Sequence, residues 1–127
     1  MDVTFPGGVA VEARFGNFTV STDQPAAYGG KESAPAPFDL FLASLATCAG
    51  YYALRFCQER QLSTEGLSLS LETERDKEKH RLSKLTISLR LPAGFPEKYR
   101  RAIIRAANQC SVKRTMLDPP EIEVVAE

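Results

Sequence analysis

The feature that most constrains this 127-residue chain is an uncharged stretch from Leu40 to Leu54, bounded by Asp39 and Arg55. Its apolar composition, and the proline at position 37, where a first helical turn tolerates the missing N–H, predict a helix over residues 37–61. The uncharged part is shorter than the roughly 20 residues that span a bilayer, so we predict a buried core helix and no membrane segment. Such a helix needs sheet around most of its circumference.

The rest of the chain supplies segments that alternate in the period of a strand. Three of them precede residue 22, with turns at residues 6–8 and 16–17. The following loop, residues 22–37, is rich in Pro, Gly, Ala and Ser, and loops of this length are usually functional or mobile. "LSLSLETER" from Leu67 and "RLSKLTISLRL" from Arg81 then predict a hairpin with one core face and one wet face. His80 falls in the charged hairpin tip, where we expect a surface role.

The C-terminal part predicts a second helix from about Pro96, a short helical turn in "NQCSVKRTML" and a last strand in "EIEVV". We therefore predict an α+β fold with the order βββ-α-ββ-αα-β, in a single domain over residues 1–127. Small residues at 43, 46, 47 and 50 form a stripe on the long helix, which favours close approach of another backbone. That backbone would belong to the second helix or to the same helix of a partner subunit. One chain has few elements with which to cover the long helix, which favours a dimer in which strands of one chain wrap the helix of the other.

Charge and motifs exclude several classes of function. The chain has 16 basic and 16 acidic residues, so it has no excess of positive charge with which to bind nucleic acid or an anionic membrane surface. We expect a cytoplasmic protein, because the N-terminus lacks the pattern of a signal peptide. One histidine and no CxxC motif predict no metal site, and no glycine motif predicts a phosphate-bearing cofactor.

The three cysteines are the candidate reactive groups. Cys57 lies nine residues after Cys48, on the opposite face of the same helix, so these two cannot pair within it. If any two cysteines meet, Cys48 and Cys110, which stand on different helical segments, are the candidates. Spacing alone leaves two alternatives open for Cys48, inert packing or a shielded nucleophile, and it favours inert packing for Cys57.

The glycine pair at residues 29–30, "APAPFDLFLASLATC" and "QCSVKRTML" together resemble the OsmC/Ohr family of osmotically inducible and organic-hydroperoxide-resistance proteins. The resemblance covers almost the whole chain and implies an intertwined homodimer without a cofactor. It implies a peroxidase that reduces organic hydroperoxides and is regenerated by a dithiol. By the same resemblance Cys48 attacks the peroxide and Cys110 resolves the sulfenic acid.

The resemblance also points to a cation and an acid near the first cysteine. Arg14, in the second strand, is the candidate for the activating arginine, with Arg55, Lys113 and Arg114 as further cations. Family peroxidases carry an acid ten residues before the first cysteine, where this chain has Phe38, and its acid Asp39 follows one residue later. One residue is about 100° of helix, so Asp39 cannot take the position that the family acid has. In this offset the chain resembles the less characterised branch of the family, which is described as predicted redox proteins.

Two other functions remain as alternatives. A non-catalytic protein that binds an apolar ligand on the same fold is favoured by Phe38, although it has no need of Cys48 and Cys110. A thioesterase with a long helix wrapped by sheet has a similar list of elements. It would have only Asp39 as a catalytic acid, and it leaves Cys110 unexplained.

Overall fold

The computed structural model describes residues 1–127 and has five strands and three α-helices. The elements are β1 (Asp2–Gly7), β2 (Ala10–Phe15), β3 (Phe18–Thr22), α1 (Pro37–Glu59), β4 (Ser68–Asp76), β5 (Arg81–Arg90), α2 (Arg100–Ala107) and α3 (Ser111–Leu117). This confirms the α+β class. The chain forms two compact units, Met1–Ala43 and Ser44–Glu127, described here separately. The single domain over residues 1–127 stays a prediction.

The N-terminal unit is an antiparallel sheet in the order β1-β2-β3, and its two faces differ in chemistry. Residues paired across neighbouring strands point to the same face, and the pairs of Ala13 with Val3 and Val20, and of Phe15 with Phe18, define an apolar face. Glu12, Arg14, Thr19 and Ser21 line the opposite, polar face. Within this unit the apolar face is open to solvent, and Phe5 and Phe18 are 79% and 69% exposed.

Asp23 organises the loop that follows β3. Its side chain is buried and accepts hydrogen bonds from the backbone N–H groups of Gln24, Lys31 and Ser33 and from the Ser33 hydroxyl, at 2.7–3.1 Å. The Ser33 hydroxyl is the largest of the contacts that hold the pKa of Asp23 well below its usual range. The loop predicted as functional or mobile is therefore closed around one carboxylate.

In the C-terminal unit, α1 packs one face against the β4–β5 hairpin and against α2. The buried positions Leu45, Ala49, Ala53 and Phe56 follow one another at helical spacings of four, four and three. The core side chains of the hairpin alternate along each strand as predicted, and Leu69 pairs with Leu89 and Leu71 with Ile87. Two clusters result, one around Ile103 and Cys57 and one around Leu45 and Cys110.

On another side of α1, the positions around Gly50 are open. The space around Gly50 holds no atom within 4 Å of where a Cβ would lie, and Tyr51 is 57% exposed. The second helix therefore does not cover the small-residue stripe at Gly50, which was one of the two expectations for it. By length and composition α1 could cross a membrane, a property that core helices of soluble proteins share.

The last predicted strand is wrong in this structure. Residues 119–127 have no regular secondary structure, and Ile122, Val124 and Val125 are exposed. An alternating segment becomes a strand only when a neighbouring edge accepts its backbone hydrogen bonds, and no edge within the chain pairs with this one. The helical turn after Cys110 is confirmed as α3, and α2 follows a 3₁₀ turn at Glu97–Tyr99.

We predict that Asp23→Asn removes an acid-dependent part of the stability. Because the folded-state pKa of Asp23 is lowered, its contribution is complete above its unfolded-state pKa of about 4 and is lost as the pH falls below it. Urea unfolding of native protein and variant is compared between pH 7 and pH 3. The difference in unfolding free energy should be constant above about pH 5 and shrink toward pH 3. A difference that is independent of pH would contradict the assigned role.

We also predict that Gly30→Ala destabilises the N-terminal loop. A Cβ at residue 30 would lie 1.7 Å from the Gln24 carbonyl oxygen, so the backbone must shift, and overpacking of this kind costs about 1–3 kcal/mol. Lys31→Ala is the control, since only the backbone N–H of Lys31 holds the loop. Denaturant unfolding measures both variants, and equal stabilities would contradict the close packing at Gly30.

Candidate active site

The structure brings Cys48 and Cys110 together from distant parts of the sequence. Cys48 is half-buried on α1, and Cys110, fully buried, precedes α3 and packs in the same cluster. The Cys110 S–H donates to the Leu45 carbonyl at 3.8 Å, and the Cys110 side chain lies near enough to the Cys48 sulfur to influence its pKa. Two thiols in contact are the requirement for a dithiol redox pair.

Cys110 ends one segment and starts the next. Its sulfur accepts the backbone N–H of Lys113 at 3.4 Å, so the thiol acts as the N-cap of α3. The sulfur therefore lies at the start of α3 and next to α1, against the Leu45 carbonyl. The sequence predicted Cys110 on the helical segment, and its position one residue outside the helix is what lets its side chain turn back toward the cap and toward Cys48.

The first residues of α3 surround Cys48 with hydrogen-bond donors. Burial by itself raises the pKa of the Cys48 thiol, but hydrogen bonds from the Val112 N–H, the Cys110 thiol, the Ser111 hydroxyl and the Ser111 N–H together lower it below its ordinary value. The Ser111 Oγ lies 3.7 Å from the Cys48 Sγ. Cys48 is thus the more acidic and the more accessible member of the pair.

The pKa values of the two other thiols are shifted upward, opposite to that of Cys48. Burial and the contact with Cys48 raise the pKa of Cys110, and the Lys113 N–H opposes them only in part. Burial also raises the pKa of Cys57, against the opposing charge of Arg60. Cys57 is 0% exposed in the cluster around Ile103, away from the Cys48 cluster, as expected for inert packing.

Arg14 and Asp39 have partners of their own in the N-terminal unit. Arg14 is on the polar face of the sheet, 63% exposed, with a weak ion pair to Glu12 at 3.9 Å. Asp39 lies in the first turn of α1 and accepts the Ala36 N–H at 3.1 Å, as an acid in the third helical position does in a capping box. A catalytic role for either residue stays a prediction.

Two of the remaining charged candidates have local partners, and two are exposed on the surface. Arg55 pairs with Glu59 at 3.0 Å on the surface of α1, and the Lys113 ammonium hydrogen-bonds the Asn108 side chain. Arg114 is exposed on α3, and His80 is exposed at the hairpin tip. No three His, Cys, Asp or Glu side chains gather as a metal site would require.

The sequence analysis missed Ser111 and Asp23. Ser111 was quoted only as part of a motif, and its position directly after a candidate cysteine was the available signal. Asp23 begins a Gly- and Pro-rich loop, where an Asp side chain commonly hydrogen-bonds nearby backbone N–H groups.

Known structures resemble this chain over most of its length. A crystal structure from Psychrobacter arcticus 273-4, described as an osmotic stress induced and detoxification response protein, has a TM-score of 0.75 at 22% identity, over 90% of this chain and 85% of that one. A Legionella pneumophila organic hydroperoxide resistance protein OsmC, also described as a predicted redox protein and regulator of sulfide bond formation, has a TM-score of 0.58 at 21% identity, over 91% and 87%. At these identities the likeness shows a shared fold.

A comparison with curated protein sequences finds no significant match. The model of one protein family, described as OsmC-like protein, matches residues 30–125. These residues include the last part of the loop after Asp23, the long helix with Cys48, the hairpin, and the α2–α3 segment with Cys110. The chain therefore belongs to the OsmC-like protein family, as the resemblance of its two cysteine segments implied.

Proposed function

We propose that this protein reduces organic hydroperoxides through Cys48 and Cys110. The observation that supports this most is the contact between two thiols whose pKa values are shifted in opposite directions. A nucleophilic thiol has to ionise readily and be reachable, and Cys48 is half-buried with a pKa below its ordinary value. A resolving thiol has to be close to it, and Cys110 can stay protonated until it is needed.

The reaction proceeds in three balanced steps. The Cys48 thiolate attacks the outer oxygen of ROOH, the O–O bond breaks, and RO⁻ takes a proton and leaves as ROH, with Cys48 as a sulfenic acid. The Cys110 sulfur, giving up its proton, then attacks the Cys48 sulfur, which forms the disulfide and releases water. A dithiol reductant returns both cysteines to thiols by exchange and becomes a disulfide itself.

The surroundings of the pair suit an alkyl peroxide. The side chains packed around it from the hairpin, from α2 and from α3 are apolar: Leu69, Leu71, Leu85, Ile87, Ala107 and Val112. Burial of an alkyl group against such surfaces stabilises a complex by about 25 cal/mol per Å². The three cysteines are free thiols, which fits the reducing cytoplasm that we propose as the location.

We predict that one equivalent of cumene hydroperoxide converts the reduced protein to a species lighter by two hydrogens, with a Cys48–Cys110 bridge. Intact mass and peptide mapping measure the product, and the Cys57 peptide, which should stay reduced, is the internal control. Cys48→Ser should abolish the fast reaction. Cys110→Ser should stop at a sulfenic acid on Cys48 that dimedone captures.

Cys110→Ser is the informative variant because Ser keeps an N-cap acceptor for α3, whereas Cys110→Ala also loses about 1 kcal/mol of capping. Slow oxidation scattered over the three cysteines would contradict the peroxidase proposal. That outcome would favour the alternative of a protein that binds an apolar ligand.

We further propose that the protein is a homodimer. Each of the two units leaves apolar surface without cover of its own: the apolar face of the N-terminal sheet, with Phe18, in one unit, and the side of α1 around Gly50 and Tyr51 in the other. Exposed apolar surface of this extent is typical of protein interfaces. The absence of side-chain atoms at Gly50 would allow the backbone of a partner helix to approach closely.

We predict that Gly50→Leu weakens the dimer about tenfold or more, since overpacking at a close contact costs about 1–3 kcal/mol. Within one chain the variant is tolerated, because the space at Gly50 is open. Sedimentation equilibrium gives the dissociation constants, and circular dichroism verifies the helix content. Arg105→Leu, which puts the same side chain on an exposed position of α2, is the control. A monomeric native protein, or an unchanged constant in Gly50→Leu, would refute the proposal.

A further inference from the structure

The side chain of Ser111 makes a polar contact that packing does not require. Ser111 is the first residue of α3 and is exposed, so its side chain fills no space in the core. Its hydroxyl oxygen nevertheless lies 3.7 Å from the Cys48 sulfur, within hydrogen-bond distance for sulfur, and either atom can be the donor. When Cys48 is ionised, its sulfur can only accept, and the hydroxyl becomes the donor.

A thiolate at Cys48 depends on such donors because its other neighbours are apolar. The hairpin contributes Leu69, Leu71, Leu85 and Ile87 to this cluster, and α2 contributes Ala107, none of which titrates. From α3 the titratable groups are the Cys110 thiol at its start and Lys113, whose ammonium is bound to the Asn108 side chain. Within the C-terminal unit, the groups that lower the pKa of Cys48 are all neutral hydrogen-bond donors.

We propose that Ser111 is a positioning residue that donates its hydroxyl hydrogen to the Cys48 sulfur, 3.7 Å away, and so favours the ionised form of this side chain over the neutral one. The inference rests on the proposed function, in which Cys48 is the nucleophile. It goes further by assigning the activation of this thiol to a neutral side chain directly after the second cysteine. A hydroxyl oriented by the start of α3 needs no buried counter-ion, and it stays beside the sulfur through the approach of the peroxide.

The experiment is the pH profile of Cys48 alkylation by iodoacetamide, in native protein and in Ser111→Ala. The three cysteines fall in three tryptic peptides, residues 32–55, 56–60 and 106–113, so each thiol is followed separately by mass spectrometry. In Ser111→Ala the midpoint for Cys48 should rise by about one pH unit, because a tenfold preference of a donor for the charged form equals one pKa unit. The plateau rate at high pH should not fall, because access to the sulfur is the same and a thiolate of higher pKa is at least as nucleophilic.

Two variants control the result. Ser111→Thr keeps the hydroxyl and should restore a midpoint close to that of the native protein. Thr115→Val removes a different hydroxyl of α3, which donates to the Ser111 carbonyl oxygen at 2.9 Å, and should leave the midpoint unchanged. Circular dichroism verifies that the helices of each variant are intact.

An unchanged midpoint in Ser111→Ala would overturn the inference, as would an equal shift in Thr115→Val or a fall in the plateau rate without a shift in midpoint. Failure of the proposed function has a different signature. In that case hydroperoxide does not produce the Cys48–Cys110 disulfide, while the alkylation midpoint of Ser111→Ala still rises.

Discussion

The packing of α1 on the β4–β5 hairpin is the interaction on which the C-terminal unit depends. One face of the helix, from Leu45 to Phe56, contributes buried residues to both clusters of this unit. The alternating leucines of the hairpin form a flat apolar surface that this helical face covers, and neither element could bury its apolar side chains alone. Cys48 lies at the edge of that contact, which is why its sulfur is partly shielded and still reachable.

The Cys110 sulfur has a structural role and is also the atom to which we assign the resolving step in the proposed reaction. The Cys110 sulfur caps α3 through the Lys113 N–H and lies under α1 against the Leu45 carbonyl. A side chain held by two elements in this way has little freedom, so the distance between the two sulfurs is set by the packing of α3 on α1. The donors around Cys48 come from the same helix start, so one short element both orders the second thiol and lowers the pKa of the first.

The apolar surface that the single chain leaves exposed supports the proposed dimer and the proposed substrate in different ways. The apolar face of the N-terminal sheet and the open side of α1 would be costly in water, by about 25 cal/mol for each Å² of apolar area. The family resemblance implies that a second copy of the chain covers these two surfaces. The apolar side chains that pack in the cluster with Cys48 would contact the alkyl group of the proposed hydroperoxide.

Local patterns were sufficient to identify five strands, the long helix, the hairpin and the helical turn after Cys110, because each reflects the period of side chains that one face must bury. They failed at residues 121–125, since an alternating segment becomes a strand only where an edge receives it. The motifs around Cys48 and Cys110 identified the family and the thiol pair. The Ser111 hydroxyl beside Cys48, the cap at Cys110 and the loop closed around Asp23 depend on contacts between residues 3 to 63 positions apart. No side-chain period encodes these contacts, although the local residue types suggest the cap and the loop, whose hydrogen bonds join residues 3 and 10 positions apart. The contact of Ser111 with Cys48 joins residues 63 positions apart, so only the packing of α3 on α1 decided it.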